Sequence, residues 1–176
     1  MDTRDIEPNI THKVLAKLEE MGKLSGIVTQ NIDGLHQKAG SKNVYEIHGT
    51  TSRNYCHNCK KEYPPDYLFQ TKDAIPKCDC GGLIRPDITL YGENLPKEAV
   101  KNAMDVIGNA DMMIVAGTSL QVTPAANFIY EFCGDHLVII NKEKLSVQLN
   151  EDTDLCIWDS LGKVFGEINK NMALGC

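Results

Sequence analysis

No stretch of this 176-residue chain approaches the roughly 20 apolar residues of a membrane span. Its longest apolar run, Met112–Ala116, has the length of a core strand. Basic charge is in deficit, with 18 Lys and Arg against 24 Asp and Glu and a net charge of −6. That excludes non-specific nucleic-acid binding, which needs a basic surface. The opening residues Met1-Asp2-Thr3-Arg4-Asp5 hold no apolar signal-peptide core, and Asp2 stands where N-myristoylation requires glycine. Internal repeats are missing too. What is present is ordinary for a globular protein: 42% hydrophobic and 24% charged residues, with 14 Gly and 7 Pro. This composition argues against disorder, collagen and coiled coil. The length fits one domain, or one domain plus a small insertion, and allows a sizeable core. The expectation is a soluble, cytoplasmic protein with no nucleic-acid or membrane partner.

Seven cysteines sharpen that expectation. Cys56, Cys59, Cys78 and Cys80 are clustered and paired, whereas Cys133, Cys156 and Cys176 are scattered. An odd total, no export signal and a Cys-x-x-Cys pair favour metal binding in a reducing compartment over disulfides. Four thiolates at Cys56-x2-Cys59 and Cys78-x-Cys80 can close a tetrahedral zinc site with no open position, a structural site rather than a catalytic one. The second pair is one residue shorter than usual, and Cys80-Gly81-Gly82 supplies the backbone freedom that tight spacing needs. Four unliganded thiols, a site using His57, or a zinc knuckle that binds a partner are the alternatives.

The rest of the chain alternates helices and short apolar strands. Residues 8–22 read as a helix capped by Asn9 or Thr11 and stopped by Gly22. Further helices are expected at 34–39, 96–107, 124–132 and 160–169, and strands at 24–29, 44–47, 111–116, 137–140 and 155–158. Residues 50–90 are turn-rich and read as an inserted module. The pattern predicts an α/β fold with a parallel sheet covered on both faces, where ligands bind beyond the carboxyl ends of the strands. Gln30, Asn31, Ile32 and Asp33, then His48, then Gly117, Thr118 and Ser119, then Asn141, Lys142 and Glu143 sit at such ends. Neutral near pH 7, His48 is fit to be a general base or equally a structural histidine. Asp33 and its neighbours could instead cap the following helix. The 117–119 segment could meet a phosphate or ribose, or be a plain loop. His12, His36 and His136 read as structural.

Taken together, the ordered motifs resemble one family. Thr29-Gln30-Asn31-Ile32-Asp33-Gly34-Leu35-His36, Glu46-Ile47-His48-Gly49, the cysteine pairs, Arg85-Pro86-Asp87, Tyr91-Gly92-Glu93, Gly117-Thr118-Ser119-Leu120-Gln121-Val122, Pro124-Ala125 and Ile140-Asn141 are similar to the sirtuin family of NAD-dependent protein deacylases. The resemblance runs from about Pro8 to Ile168. It implies a Rossmann-like parallel sheet, incomplete at its N-terminus, from residues 1–49 and 91–176, with a zinc-binding module at 50–90. It implies NAD as co-substrate, one structural zinc per chain, and removal of an acyl group from lysine with release of nicotinamide and O-acyl-ADP-ribose. His48 would be the general base. Asn31 and Asp33 would flank the nicotinamide, with Gln30 and Ile32 in the same pocket. Gly117, Thr118 and Ser119 would hold phosphate and ribose. Asn141, Lys142 and Glu143 would meet the adenosine end, with Leu161 near the adenine. Thr89, Tyr91, Gly92, Glu93 and Asn94 would form the edge that receives an acyl-lysine peptide as an added strand.

The sequence departs from the family in details and at its front. The second cysteine pair is Cys-x-Cys, Tyr91 replaces the commoner Phe, and Thr89 replaces an aliphatic residue near the acyl-lysine channel. The family's opening Gly-Ala-Gly-x-Ser loop and Gly-Ile-Pro-Asp-Phe-Arg stretch do not occur in these 176 residues. Loss of a central strand would leave two unpaired sheet edges. Three readings follow: a deacylase represented here without its front segment, a truncated inactive scaffold using its zinc module as a partner surface, or a chain whose missing strand comes in trans or from a swapped oligomer.

Overall fold

The computed structural model describes residues 5–70, 75–145, 149–150 and 152–173. Residues 1–4, with Asp2, and Cys176 lie outside them. Helix α1 (Ile10–Glu20) starts where Asn9 accepts from the Thr11 and His12 amides, while the Asn9 amide donates to His12 Nδ1, a reciprocal capping box. It ends before Gly22, whose φ of 69° suits glycine. Strand β1 (Ile27–Thr29) follows, then the short helix α2 (Leu35–Lys38) and β2 (Val44–Glu46), which runs parallel to β1 in the register Val28 to Tyr45. The first strand is shorter than the 24–29 expected, because Leu24–Gly26 make no ladder.

The segment expected to be turn-rich contains more regular structure than that. Strand β3 (Gly49–Cys56) begins at residue 49 and is the centre of an antiparallel sheet with β4 (Glu62–Tyr63) and β5 (Ile84–Ile88). Its polar sequence, with Thr50, Thr51, Ser52, Arg53 and Asn54, hid it from a hydrophobic-period reading. Helix α3 (Tyr67–Gln70) was also unforeseen. Gly49 makes the junction possible. Its φ is 76°, and a Cβ built there would lie 2.1 Å from the Asp87 carbonyl oxygen.

Helix α4 (Lys97–Gly108) leads to a second parallel sheet of β6 (Met112–Ala116), β7 (His136–Asn141) and β8 (Leu155–Trp158), in the order β6-β7-β8. Between β6 and β7 the expected helix is a 3-10 helix, Ala125–Glu131. Helix α5 (Leu161–Ala173) closes the chain. One apolar layer joins α4 and the 3-10 helix to both half-sheets: Ile47, Ala103, Ile107, Ala125 and Phe128 take in Val28 of β1 and Met113 of β6. The other joins Val14 of α1 and Phe165 of α5 to Ile140 of β7. The parallel sheet is thus sandwiched between helices, as expected, but consists of two separate pieces. Among the described residues, no helix is long and apolar enough to cross a membrane.

Gly49→Ala should destabilise the fold by about 2–4 kcal/mol, combining positive-φ strain with a backbone clash. A urea midpoint unchanged from the parent would contradict this account of the β2–β3 junction.

Candidate functional site

The residues predicted to meet the cofactor fall into two groups, both at carboxyl ends of parallel strands. The first surrounds His48. After β1 ends at Thr29 the chain from Gln30 to Ile32 is irregular, and the carbonyls here need partners. The passage from β2 into β3 supplies them. The Ile47 amide donates to Thr29 O at 3.1 Å, His48 Nδ1 to Gln30 O at 3.1 Å, and the Thr51 amide and hydroxyl to Ile32 O at 3.0 and 2.9 Å. A carbonyl oxygen can only accept, so the proton of neutral His48 sits on Nδ1. Nε2 therefore keeps its lone pair, which is the state a general base needs. The Thr89 amide donates to His48 O at 2.9 Å and ties the peptide-edge segment to the same residue. Asn31 is exposed and its amide donates to Thr29 Oγ1. Asp33 accepts from the Leu35 amide at 3.0 Å, the capping role weighed from sequence, through one carboxylate oxygen.

Along the peptide edge, Tyr91 is 99% exposed, with Gly92 and Asn94 also at the surface. Glu93 is differently placed. It accepts from Arg85 Nη2 at 2.9 Å and from the Leu90 amide at 2.9 Å, and Arg85 followed by the Leu90 amide holds its carboxyl down at about 2. Its side chain braces the 85–93 turn.

The second group lies on β6 and β7. The Gly117 amide donates to Ile140 O at 3.1 Å, and a Cβ on Gly117 would come within 2.9 Å of Leu161 Cδ1. The missing side chain thus lets α5 begin against the end of β6. Thr118 Oγ1 accepts from the Leu120 amide, leaving Ser119 exposed. Asn141 donates to Glu143 O at 2.8 Å, and Lys142 and Glu143 are exposed. Among the described residues, no hydrogen bond joins this group to the first. Two surface clefts, one against Tyr45 and α4 and one along Arg53, Tyr55 and Tyr63, are lined by neither group.

The four paired cysteines converge. Their sulfurs all lie within 4.8 Å of one another, with Cys56 to Cys80 at 3.5 Å and Cys59 to Cys78 at 3.6 Å. Tetrahedral thiolates about 2.3 Å from zinc would be roughly 3.8 Å apart, so the donor set fits that ion. The short Cys78-x-Cys80 spacing is accommodated by a turn: the Gly81 amide donates to Cys78 O and the Cys78 amide to Gly82 O. A Cβ on Gly82 would lie 2.7 Å from Cys56 Sγ. Tyr63, packed against this cluster, holds the Cys78 thiol down at about 6, with backbone help from Cys80. His57 is exposed and stands outside the cluster.

The sequence profile of the Sir2 family matches residues 1–124. The chain belongs to the Sir2 family. It is 51% identical over 162 residues to an NAD-dependent protein deacetylase of Clostridium acetobutylicum, a match covering 92% of this chain and 65% of that protein. It is 52% identical to the corresponding protein of Clostridium perfringens, with 92% and 66% covered. The chain therefore spans about two-thirds of the length of these relatives. Solved Sir2 structures superpose closely. One bound to an acetylated peptide has a TM-score of 0.90 at 36% identity over 98% of this chain and 74% of its own. One with a p53 peptide and NAD+ has 0.88 at 37%, covering 98% and 73%.

Sequence reasoning missed several residues that shape this Sir2-family site. Thr51 fixes the Ile32 carbonyl, and Arg85 holds Glu93. His12, read only as structural, is 8% exposed and meets His36 edge-on, ring centroids 4.7 Å apart. The Asn-x-x-His spacing at the helix start was its available signal. Burial pushes both imidazoles below the ordinary histidine range. For His36 the neighbouring His12 adds to this, while Asp33 opposes it for both. The unfolded chain then binds more protons than the folded one as the solution is acidified. This stability is present above about pH 6.5 and lost as pH falls through the folded values. Urea midpoints should drop between about pH 7.5 and about pH 5.5, and drop less in the His12→Gln/His36→Gln double variant. Equal drops in both proteins would contradict the pairing argument.

Proposed function

We propose that this chain acts as an NAD-dependent protein-lysine deacetylase, releasing nicotinamide and O-acyl-ADP-ribose. The observation that carries the reading is the His48–Gln30 hydrogen bond. It orients a neutral imidazole with Nε2 free beside the strand-end loop 30–33. The family membership and the deacetylase relatives support the same reaction, and nothing favours an inactive scaffold over it. When bound, NAD supplies an electrophilic ribose carbon and nicotinamide as leaving group. His48 Nε2 takes the proton of a ribose hydroxyl, while the proton on its Nδ1 stays hydrogen-bonded to the Gln30 carbonyl. Asn31 and the free oxygen of Asp33 face the nicotinamide end, with Gln30 and Ile32 beside them. Gly117, Thr118 and Ser119 bind phosphate and ribose, and Asn141, Lys142, Glu143 and Leu161 the adenosine end.

An acyl-lysine peptide lies along Thr89, Tyr91, Gly92 and Asn94 as an added strand, on a turn braced by Glu93. Cys56, Cys59, Cys78 and Cys80 hold one structural zinc. The division of labour follows residues 50–90 for the metal module against 1–49 and 91–176 for the cofactor sheet. The free paired thiols suit the reducing cytoplasm.

His48→Ala should lower nicotinamide release from NAD and an acetylated peptide by about 10²–10⁴-fold, with peptide affinity within about twofold of the parent. Release within about tenfold of the parent rate would remove His48 as the base. Metal analysis should find about one zinc per chain, and a chelator should lower the thermal midpoint together with zinc loss. Folded protein without zinc would contradict the thiolate site.

A further inference from the structure

Arg85 is placed to do more than pair with one carboxylate. It lies on β5 opposite Tyr55 of β3, next after Ile84, which is buried with Cys56 and Cys78. The cysteine module thus gives its guanidinium a fixed base, and the side chain is only 20% exposed. From there it reaches two points of the chain that follows. Nη2 donates to Ile88 O at 2.7 Å and to Glu93 Oε2 at 2.9 Å, and Nη1 donates to Glu93 Oε1. One planar fork therefore holds both ends of the 88–93 segment, a geometry that the single ammonium of lysine does not offer.

Glu93 closes the segment from its far end. Its Oε2 accepts from the Leu90 amide at 2.9 Å, and its own amide donates to Leu90 O at 3.0 Å. Gly92, inside this turn, takes a φ of 85°. The Thr89 amide is used on His48 O. Tyr91 and Gly92 are left over: among the described residues, no hydrogen bond takes their main-chain amides or carbonyls, and both residues are exposed. Most surface ion pairs contribute little, because solvent and side-chain entropy offset the attraction. This one is bidentate and tied to the main chain at Ile88 and Leu90, so it fixes a backbone shape.

We propose that Arg85 is a positioning residue for the acyl-lysine peptide: it holds the 88–93 turn so that the main chain of Tyr91 and Gly92 meets the incoming strand already shaped. This rests on the peptide-edge reading above and extends it to a residue that acts through Ile88 and Glu93 rather than by contact with the peptide. Its effect falls on peptide affinity, since main-chain groups held in advance need no ordering on binding. Loss of the fork leaves the His48 bond to Gln30 in place, because other residues make it.

The test measures binding of a fluorescently labelled acetyl-lysine peptide to this chain by anisotropy. Arg85→Met and Glu93→Gln should each weaken binding about tenfold or more. The double variant should bind no worse than the weaker single variant, because both changes remove the same fork. Arg85→Lys keeps the charge without the fork and should recover part of the loss, to about threefold weaker than the parent. Arg53→Met breaks the neighbouring exposed pair with Asp87 and should leave binding within about twofold. Glu93→Gln is close to isosteric and keeps an acceptor for the Leu90 amide, so it reads the fork even where Arg85→Met costs folding. Binding by Glu93→Gln equal to the parent, additive losses in the double variant, or no recovery in Arg85→Lys would overturn this proposal alone. A parent chain that binds no acetyl-lysine peptide would overturn it together with the peptide-edge reading.

Discussion

The structure turns on a single crossing. Between Ile47 and Thr51 the chain leaves the parallel β2, passes Gly49 and enters the antiparallel β3. In those few residues it takes up the carbonyls of Thr29, Gln30 and Ile32. The irregular backbone after β1 has no helix or sheet of its own to satisfy it, and leaving buried carbonyls unpaired would be costly. The crossing supplies those partners and so fixes the loop. The same contacts set the tautomer of His48, because the acceptor offered to Nδ1 is a carbonyl. The geometry proposed for catalysis and local folding are thus one requirement, and the close approach to Asp87 that makes residue 49 glycine belongs to both.

The metal module and the cofactor sheet are coupled through the same strand. Strand β3 starts at His48's neighbour and ends at Cys56, the fully buried ligand candidate, and β5 returns from the second cysteine pair to pair with Gly49 and Thr50. Thr89, next after β5, donates to His48 O. The cysteine cluster at one end of this sheet is therefore linked through β3 and β5 to His48 and Thr89 at the other. Losing the metal would act on catalysis through folding. The parallel sheet is the weaker half of the architecture, with two pieces linked by helices rather than by a ladder.

Much of this was legible from sequence where a physical signal was local. The Asn9 cap, the parallel strands at 44–47, 111–116 and 155–158, and the convergence of the four cysteines rest on capping chemistry, short apolar runs and ligand spacing. What stayed hidden depended on distant pairing. Strand β3 carries Thr, Ser, Arg and Asn and shows no hydrophobic alternation, so only its pairing with β5 makes it a strand. The 124–132 helix tightened to a 3-10 form. The motif that contains Glu93 gave it a place on the peptide edge, but not its partner: Arg85, eight residues earlier, holds its carboxylate. The His12–His36 contact joins two helices separated by a strand, and no spacing rule announces it.

The central claim is that the fold delivers His48 with its proton on Nδ1 and its Nε2 lone pair free. Imidazole nitrogen chemical shifts, measured by long-range proton–nitrogen correlation at about pH 8, where an ordinary histidine is neutral, test this directly. The account predicts a protonated Nδ1 and an unprotonated Nε2 for His48, a pattern that persists in His36→Gln. A proton resident on Nε2 would mean that the Gln30 carbonyl does not set the tautomer, and the base assigned to this site would be wrong.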